Sequence, residues 1–249
     1  MNNPSRYIAV AVALAGVLQP AVTHGQGSLG DGTFQDLDFS EADVEVVGGN
    51  GFTIEAGPAL PGWTASIGGI AQSSIFYNNF ALSGGCISLW GPTQPSVSGN
   101  YSVFLQGGAY AWVGAASIQQ TGIVPAGANS IQFQSRTYPF YPQSINTFGL
   151  NINGQPVNLV PLSGANTAWT YGANISQYAG QSATLNFFSF YGSANENLWL
   201  SDITFSIQVI PEPSVLGLFG IGGLIFGWSA RGKWVRAIQP FQGCELFGG

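Results

Sequence analysis

The stretch FGLNINGQPVNLV, residues 148–160, gives the clearest local indication of structure in this chain. Two short apolar runs, Phe148–Ile152 and Val157–Val160, flank the dipeptide Asn153-Gly154. Both residues of the dipeptide accept the positive φ of a type I′ turn, so this pattern predicts a β-hairpin. Similar runs recur between Gly, Asn and Pro residues, without a persistent helical period, and predict an all-β, two-sheet β-sandwich. These runs are Cys86–Trp90, Tyr101–Gln106, Ala115–Gln120, Ser130–Arg136, Ala183–Phe190 and Leu198–Val209.

The composition excludes several classes of protein. Charged residues make up 6% of the 249 residues, against roughly a quarter in an average soluble domain, which argues against a soluble cytosolic enzyme. With 5 Lys and Arg against 11 Asp and Glu, the chain lacks the clustered cations that nucleic-acid binding needs. The 17 Phe, 9 Tyr and 7 Trp are too many for a disordered chain. An exported β protein fits these numbers.

The first 25 residues have the layout of a secretory signal peptide. Arg6 precedes the apolar run Ile8–Leu18, which is too short to span a membrane, and the small residues Thr23 and Gly25 follow. We therefore predict a signal peptide at 1–25 and a mature domain that covers residues 26–209.

The carboxyl end has the pattern of a membrane anchor. The uncharged run Ser214–Ala230 is 17 residues long, and as a helix it would span about 26 Å, enough for a thin hydrocarbon core. Three cations follow this run, and cations stay on the cytoplasmic side. The sequence therefore predicts one transmembrane helix at 214–230, with the domain exported.

This end of the chain, over Ile210 to Arg236, resembles the PEP-CTERM sorting signal of bacteria that make exopolysaccharide. The resemblance implies an exosortase-like processing enzyme as a partner, at the inner membrane. A plain single-pass anchor would give the same topology without cleavage. The chain departs from the family pattern because it continues with a short tail, residues 237–249. The residues that carry the resemblance are Pro211, Glu212, Pro213, Arg231, Lys233 and Arg236.

Three phrases of the domain, at residues 60–63, 99–105 and 199–205, resemble galactose-binding-like jelly rolls, the fold of many carbohydrate-binding modules. The resemblance implies a single jelly-roll domain over 26–209. Trp63 and Trp199 lie within these phrases, and we expect both in the core.

The inventory of reactive side chains argues against catalysis. His24 leaves with the signal peptide and Lys233 lies beyond the span, so the mature domain contains neither residue type. This excludes a Ser-His-Asp triad, a histidine metal site and a Schiff-base lysine. Cys86 is expected to be a small buried residue. A glycan hydrolase based on two carboxylates roughly 5 to 9.5 Å apart is the remaining catalytic alternative, and nothing around Glu55, Glu196 or Asp202 indicates such a pair.

Six of the nine carboxylates of the domain lie within Asp31–Glu45. This cluster predicts either a solvated acidic arm or a structural calcium site, since Ca²⁺ prefers several oxygen ligands. Carbohydrate-binding jelly rolls often hold calcium between their first and last strands. The resemblance therefore implies Asp36, Asp38 and Asp202 as candidate calcium ligands, and we expect no other cofactor.

Aromatic side chains offer a route to glycan binding, because flat rings contact apolar sugar faces. Tyr110 and Trp112 share one face if their stretch is extended. The candidate glycan contacts, for which core packing is the alternative, are Trp90, Tyr110, Trp112, Arg136, Tyr138 and Tyr141. We expect a non-enzymatic cell-surface or exopolysaccharide-matrix protein. The alternative is a carbohydrate-binding adhesin whose partner is an extracellular polysaccharide.

Overall fold

A computed structural model describes residues 28–44, 52–81, 84–93, 96–108, 114–136, 148–165, 168–190 and 197–210. Besides the strands these residues form a short helix, α1 (Ala56–Ala59), and a 3-10 turn, Ser176–Tyr178. The strands are β1 (Ser28–Leu29), β2 (Thr53–Glu55), β3 (Thr64–Ile67), β4 (Ile70–Ala71), β5 (Ser74–Tyr77), β6 (Cys86–Trp90), β7 (Ser102–Gln106), β8 (Ala116–Ile123), β9 (Ser130–Arg136), β10 (Phe148–Ile152), β11 (Gln155–Pro156), β12 (Val160–Ala165), β13 (Ala168–Asn174), β14 (Ser182–Ser189) and β15 (Asn197–Ser206).

These strands form two sheets, which confirms the predicted all-β class. The large sheet has nine strands in the described residues, in the order β12-β13-β9-β15-β7-β6-β5-β2, with β1 also paired to β15. The small sheet has six, in the order β11-β10-β14-β8-β3-β4. The β5–β6 pair is parallel, whereas the other described pairs, such as β14–β8 and β15–β7, are antiparallel.

The core lies between the sheets, where alternate residues of facing strands meet. Phe133 of β9 and Phe187 of β14 are both fully buried, and their ring centroids lie 5.3 Å apart in an edge-on arrangement. Trp63 packs between Phe39 and Phe187, which confirms the core position expected for it. Each such ring stabilises the fold by about 1.5–3 kcal/mol through burial.

The hairpin at Asn153-Gly154 is present, but its second strand is shorter than expected. Asn153 and Gly154 have φ of 52° and 77°, and Ile152 pairs with Gln155 across the turn. The strand β11 ends at Pro156, so the prediction of a strand at Val157–Val160 is wrong. The next strand begins at Val160 and belongs to the large sheet, where it pairs with β13.

Different parts of the chain meet at the two ends of the sandwich. At one end, the exit end, β1 pairs with the last residues of β15, through Ser28 with Ser206 and Leu29 with Phe205. At the opposite end, the loop end, β7, β9 and β14 finish and the strands that follow them begin in the other sheet. Three connections between the sheets therefore start and finish at the loop end.

Three predicted segments fall outside the described residues. They are the signal peptide at 1–25 and the anchor at 214–230, together with the tail 237–249. Within the described ranges, no helix is long and apolar enough to cross a membrane.

Candidate functional site

The candidate residues of the carboxyl-terminal signal and of the aromatic loops lie outside the described residues. Arg136, the cation among the glycan-contact candidates, is described: it ends β9 at the loop end, where it pairs with Ala168 of β13. The strand ends that flank Tyr110 and Trp112, at Gln106 and Ala116, also belong to the loop end. The candidates outside the described residues are Tyr110, Trp112, Tyr138, Tyr141, Pro211, Glu212, Pro213, Arg231, Lys233 and Arg236.

Trp90 belongs to a second aromatic cluster, on the outer face of the large sheet. Its ring centroid lies 5.0 Å from that of Trp199 and 6.3 Å from that of Phe104. Trp199 is only 4% exposed, so its predicted burial is confirmed, in this cluster rather than between the sheets. The indole Nε1 atoms of Trp90 and Trp199 are buried without a hydrogen-bond partner. Trp90 thus packs on its neighbours, and only part of its ring is available to a ligand.

Cys86 belongs to the same cluster and is a free, fully buried thiol, as expected. The backbone N–H of Ala81 donates to its Sγ at 3.4 Å. Burial raises the pKa of the Cys86 thiol to about 11. Because the thiolate is the reactive form, this thiol is inert in the folded chain.

Two exposed rings near the loop end were not among the sequence candidates. Trp169, at the start of β13, is 37% exposed, and Phe190, just after β14, is 44% exposed. The ring of Trp169 lies on its strand partner Gly164, where a Cβ would come within 2.3 Å of it. In the sequence, the sign of this contact is the glycine that pairs with Trp169. That pairing can be recognised only when the register of the two strands is known.

The outer face of the small sheet carries an uncharged grid of amides and hydroxyls, which we call the amide face. Its central row crosses four strands: Thr64 is opposite Gln119, Gln119 opposite Asn186, and Asn186 opposite Asn151. In the next row towards the exit end, the hydroxyls of Thr121 and Thr184 are 2.7 Å apart. The six described strands of this sheet contain no charged residue.

Two aromatic side chains, Phe188 and Phe190, border the amide face on its loop-end side, and we call this pair the aromatic step. The ring of Phe188 lies on Gly149, where a Cβ would be 2.5 Å from the ring. Phe190 meets Phe188 edge-on, with ring centroids 4.8 Å apart. Rings beside amides and hydroxyls are the groups that proteins use on neutral sugars: rings contact the apolar faces and amides fix the hydroxyls.

The acidic stretch forms a tight loop around Asp36. Asp36 has a φ of 47°, its backbone oxygen accepts from Nε1 of Trp63 at 3.2 Å, and its Oδ1 accepts from the N–H of Glu41 at 2.9 Å. Its Oδ2 is buried and has no hydrogen-bond partner. Burial, with smaller contributions from the negative charges of Asp38 and Glu41, raises the pKa of Asp36 to about 6.

The loop lies beside β15, but the calcium candidates do not form a cluster. The N–H of Ile203 donates to the carbonyl of Leu37 at 3.1 Å, which brings the loop next to Asp202. Asp202 has a φ of 46° at a bulge of β15, and its Oδ2 accepts from Nε2 of Gln134 at 3.0 Å. Among the described residues, no three Asp, Glu, His or Cys side chains are grouped so that they could hold a metal ion. The calcium site thus stays a prediction.

Comparison with known proteins gives little similarity. No protein-family model matches the chain, and no curated protein matches it. One similar solved structure is the enzymatically active domain of tailspike protein 4 of bacteriophage CBA120, with 14% identity and a TM-score of 0.33, over 59% of this chain and 19% of that one. Another is the Stig cyclase Fisc from Fischerella sp. TAU, with 11% identity and a TM-score of 0.39, over 70% of this chain and 95% of that one. The chain thus spans about a fifth of the tailspike domain, and at these TM-scores neither likeness bears on function.

Proposed function

We propose that this chain is an exported, non-enzymatic surface protein that contacts a neutral polysaccharide through its amide face. The observation that carries the proposal is the cross-strand row of Thr64, Gln119, Asn186 and Asn151, bordered by the Phe188–Phe190 step. The signal peptide, the carboxyl-terminal anchor and sorting by an exosortase-like enzyme are part of the proposal and rest on the sequence pattern. So does the assignment of the sandwich as a jelly roll.

The dimensions of the amide face suit an extended, flexible polymer. Neighbouring strands are about 4.8 Å apart, so four strands present a row about 14 Å long. Residues two apart along a strand are separated by about 6.6 Å, so the Thr121–Thr184 row runs parallel to the central row at that spacing. Thr64, Gln119 and Thr121 are exposed, whereas Oδ1 of Asn186 is buried. A chain of hydroxyl-bearing rings can meet the exposed hydroxyls and amides of the grid at several points.

The absence of charge on this face favours a neutral ligand. An anionic polymer would need cations, and Arg136 lies on the other sheet. The domain also carries nine carboxylates against one Arg, which repels polyanions at low ionic strength. A neutral glycan avoids both costs, so its binding should depend little on salt.

The experiment is a binding assay of the full-length chain, in detergent, against neutral and anionic polysaccharides. We expect retention on a neutral polysaccharide that is reduced several-fold by Phe190→Ala and by Gln119→Ala. The matched controls are Phe52→Ala, a 50% exposed ring beside β2, and Gln177→Ala, an exposed amide of the 3-10 turn. Equal loss in variants and controls, or no retention on any neutral polysaccharide, would refute the assignment of this face.

A further inference from the structure

The chain does not leave the sandwich straight from its last strand. After β15 ends at Ser206, residues 207–210 form a strap that turns back over the outer face of the large sheet. The side chain of Asn129 donates to the carbonyl of Ile207 at 2.7 Å, and the N–H of Gln208 donates to Oγ of Ser206 at 3.1 Å. The strap ends at Ile210, which is only 4% exposed.

The side chain of Ile210 packs on Gly172 of β13. A Cβ on Gly172 would lie 2.4 Å from Cδ1 of Ile210 and 2.9 Å from Cδ1 of Leu162. Gly172 therefore leaves the space that Ile210 fills, and Leu162 of β12 closes its side. Because Gly172 pairs with Val160 on one side and Gln132 on the other, the strap crosses β9 to reach β13.

The surface around this seat is apolar and uncharged. Leu162 is 37% exposed, Ile207 is 50% exposed and Val209 is 69% exposed. The strands β12 and β13 and the strap contain no charged residue. We call the surface formed by β12, β13 and the strap the exit corner. Exposed apolar side chains at one corner of a domain mark a candidate contact site.

The length of the tether identifies what the exit corner contacts. The uncharged run begins at Ser214, four residues after Ile210, and four residues reach about 14 Å at most. We propose that the exit corner rests on the surface of the bilayer that holds residues 214–230. This inference rests on the proposed function, because it requires the carboxyl-terminal run to be the anchor. The bilayer then covers Leu162, Ile207 and Val209, and the amide face on the opposite sheet points away from it.

The test uses the full chain, with Cys244→Ser, in vesicles that carry a nitroxide on a fraction of lipid headgroups. A fluorophore is attached at Ser163→Cys, an exposed position of the edge strand β12, or at Ala71→Cys, an exposed position of the edge strand β4. Cys86 stays unlabelled because it is fully buried. We expect the label at 163 to be quenched several-fold more strongly than the label at 71.

A second variant tests the seat itself. Gly172→Ala should crowd the side-chain ends of Ile210 and Leu162 and loosen the strap, so quenching at 163 should fall towards the value at 71. Gly57→Ala is the matched control, since a Cβ there meets nothing within 4 Å.

Vesicle flotation separates the two ways of failing. A chain that does not float with vesicles has no anchor, which overturns the proposed topology and this inference together. A chain that floats but is quenched equally at 163 and 71 overturns only the docking of the exit corner.

Discussion

Replacement of Asp36 by Asn should stabilise the domain above pH 6 and leave it unchanged near pH 4. Asp36 is 7% exposed, and one of its carboxylate oxygens accepts from the N–H of Glu41 while the other has no hydrogen-bond partner. Its pKa is raised from 3.8 to about 6 in the folded chain. A raised pKa means that the folded state holds the proton more tightly than the unfolded state. The stability from this group is therefore fully present below about pH 4 and is lost as the pH rises through 6.

The size of the effect follows from the two pKa values. A difference of about two pKa units at about 1.36 kcal/mol per unit sets an upper limit of about 3 kcal/mol, so the expected change in the free energy of unfolding is about 1–3 kcal/mol. Asn retains an oxygen that accepts from Glu41, tolerates the positive φ of this position, and carries no charge at any pH. Asp36→Asn should therefore have a flatter pH dependence than the natural chain, by about that amount.

The assay is urea unfolding of residues 26–210, which contain every described strand. Unfolding is monitored by tryptophan fluorescence at several pH values between pH 4 and pH 8. Asp43→Asn, at an exposed carboxylate of the same stretch, is the control, and it should change the free energy of unfolding by less than about 0.5 kcal/mol. If Asp36→Asn and the natural chain show parallel pH dependence, the loop does not hold a buried, unpaired carboxylate, and the reasoning fails.

Four further outcomes are expected. Gly149→Ala should destabilise the domain by about 1–3 kcal/mol in thermal unfolding, because the new methyl group meets the Phe188 ring; an unchanged Tm would show that this ring is not seated there. Cys86 should not react with a thiol reagent at pH 8 until the domain is unfolded, since the pKa of its buried thiol is about 11; reaction in the native state would contradict this burial. If Asp36, Asp38 and Asp202 hold calcium, chelation should lower Tm and Asp202→Asn should abolish that difference; an unchanged Tm on chelation would count against the calcium site. In a host with an exosortase-like enzyme, replacing Pro211, Glu212 and Pro213 by Ala should leave the carboxyl end uncut by mass spectrometry, and cutting of this variant would remove the sorting signal from the proposal.

The strands that could be predicted from the sequence are those in which alternate side chains face the core. The strands predicted at Cys86–Trp90, Ser130–Arg136 and Phe148–Ile152 occur with those bounds, because each has a face against the core. The strands β12 and β13 were missed, since Pro161, Gly164 and Gly172 interrupt their pattern. Both glycines are required by their packing partners: the ring of Trp169 on the paired strand lies on Gly164, and the side chain of Ile210, distant in sequence, lies on Gly172.

The candidate site was less predictable than the fold, for a related reason. The amide face draws one residue from each of four strands, and Thr64 and Asn186 are far apart in sequence. No local spacing can bring such residues together, because their alignment depends on the register of each strand pair. From the sequence alone, the candidate glycan contacts were instead placed in short aromatic-rich segments, such as those around Trp112 and Tyr141.

The position of β15 has a consequence for how an exported chain would reach its folded state. The last of the described strands, β15, lies in the middle of the large sheet, between β9 and β7, and it also pairs with β1. Until it arrives, the strands on either side of it form two separate fragments with no ladder between them. A chain that crosses a membrane from its amino end therefore cannot close this sheet until Ser206 has emerged. In an exported chain, this order of strands would keep the large sheet open until most of the domain had crossed the membrane.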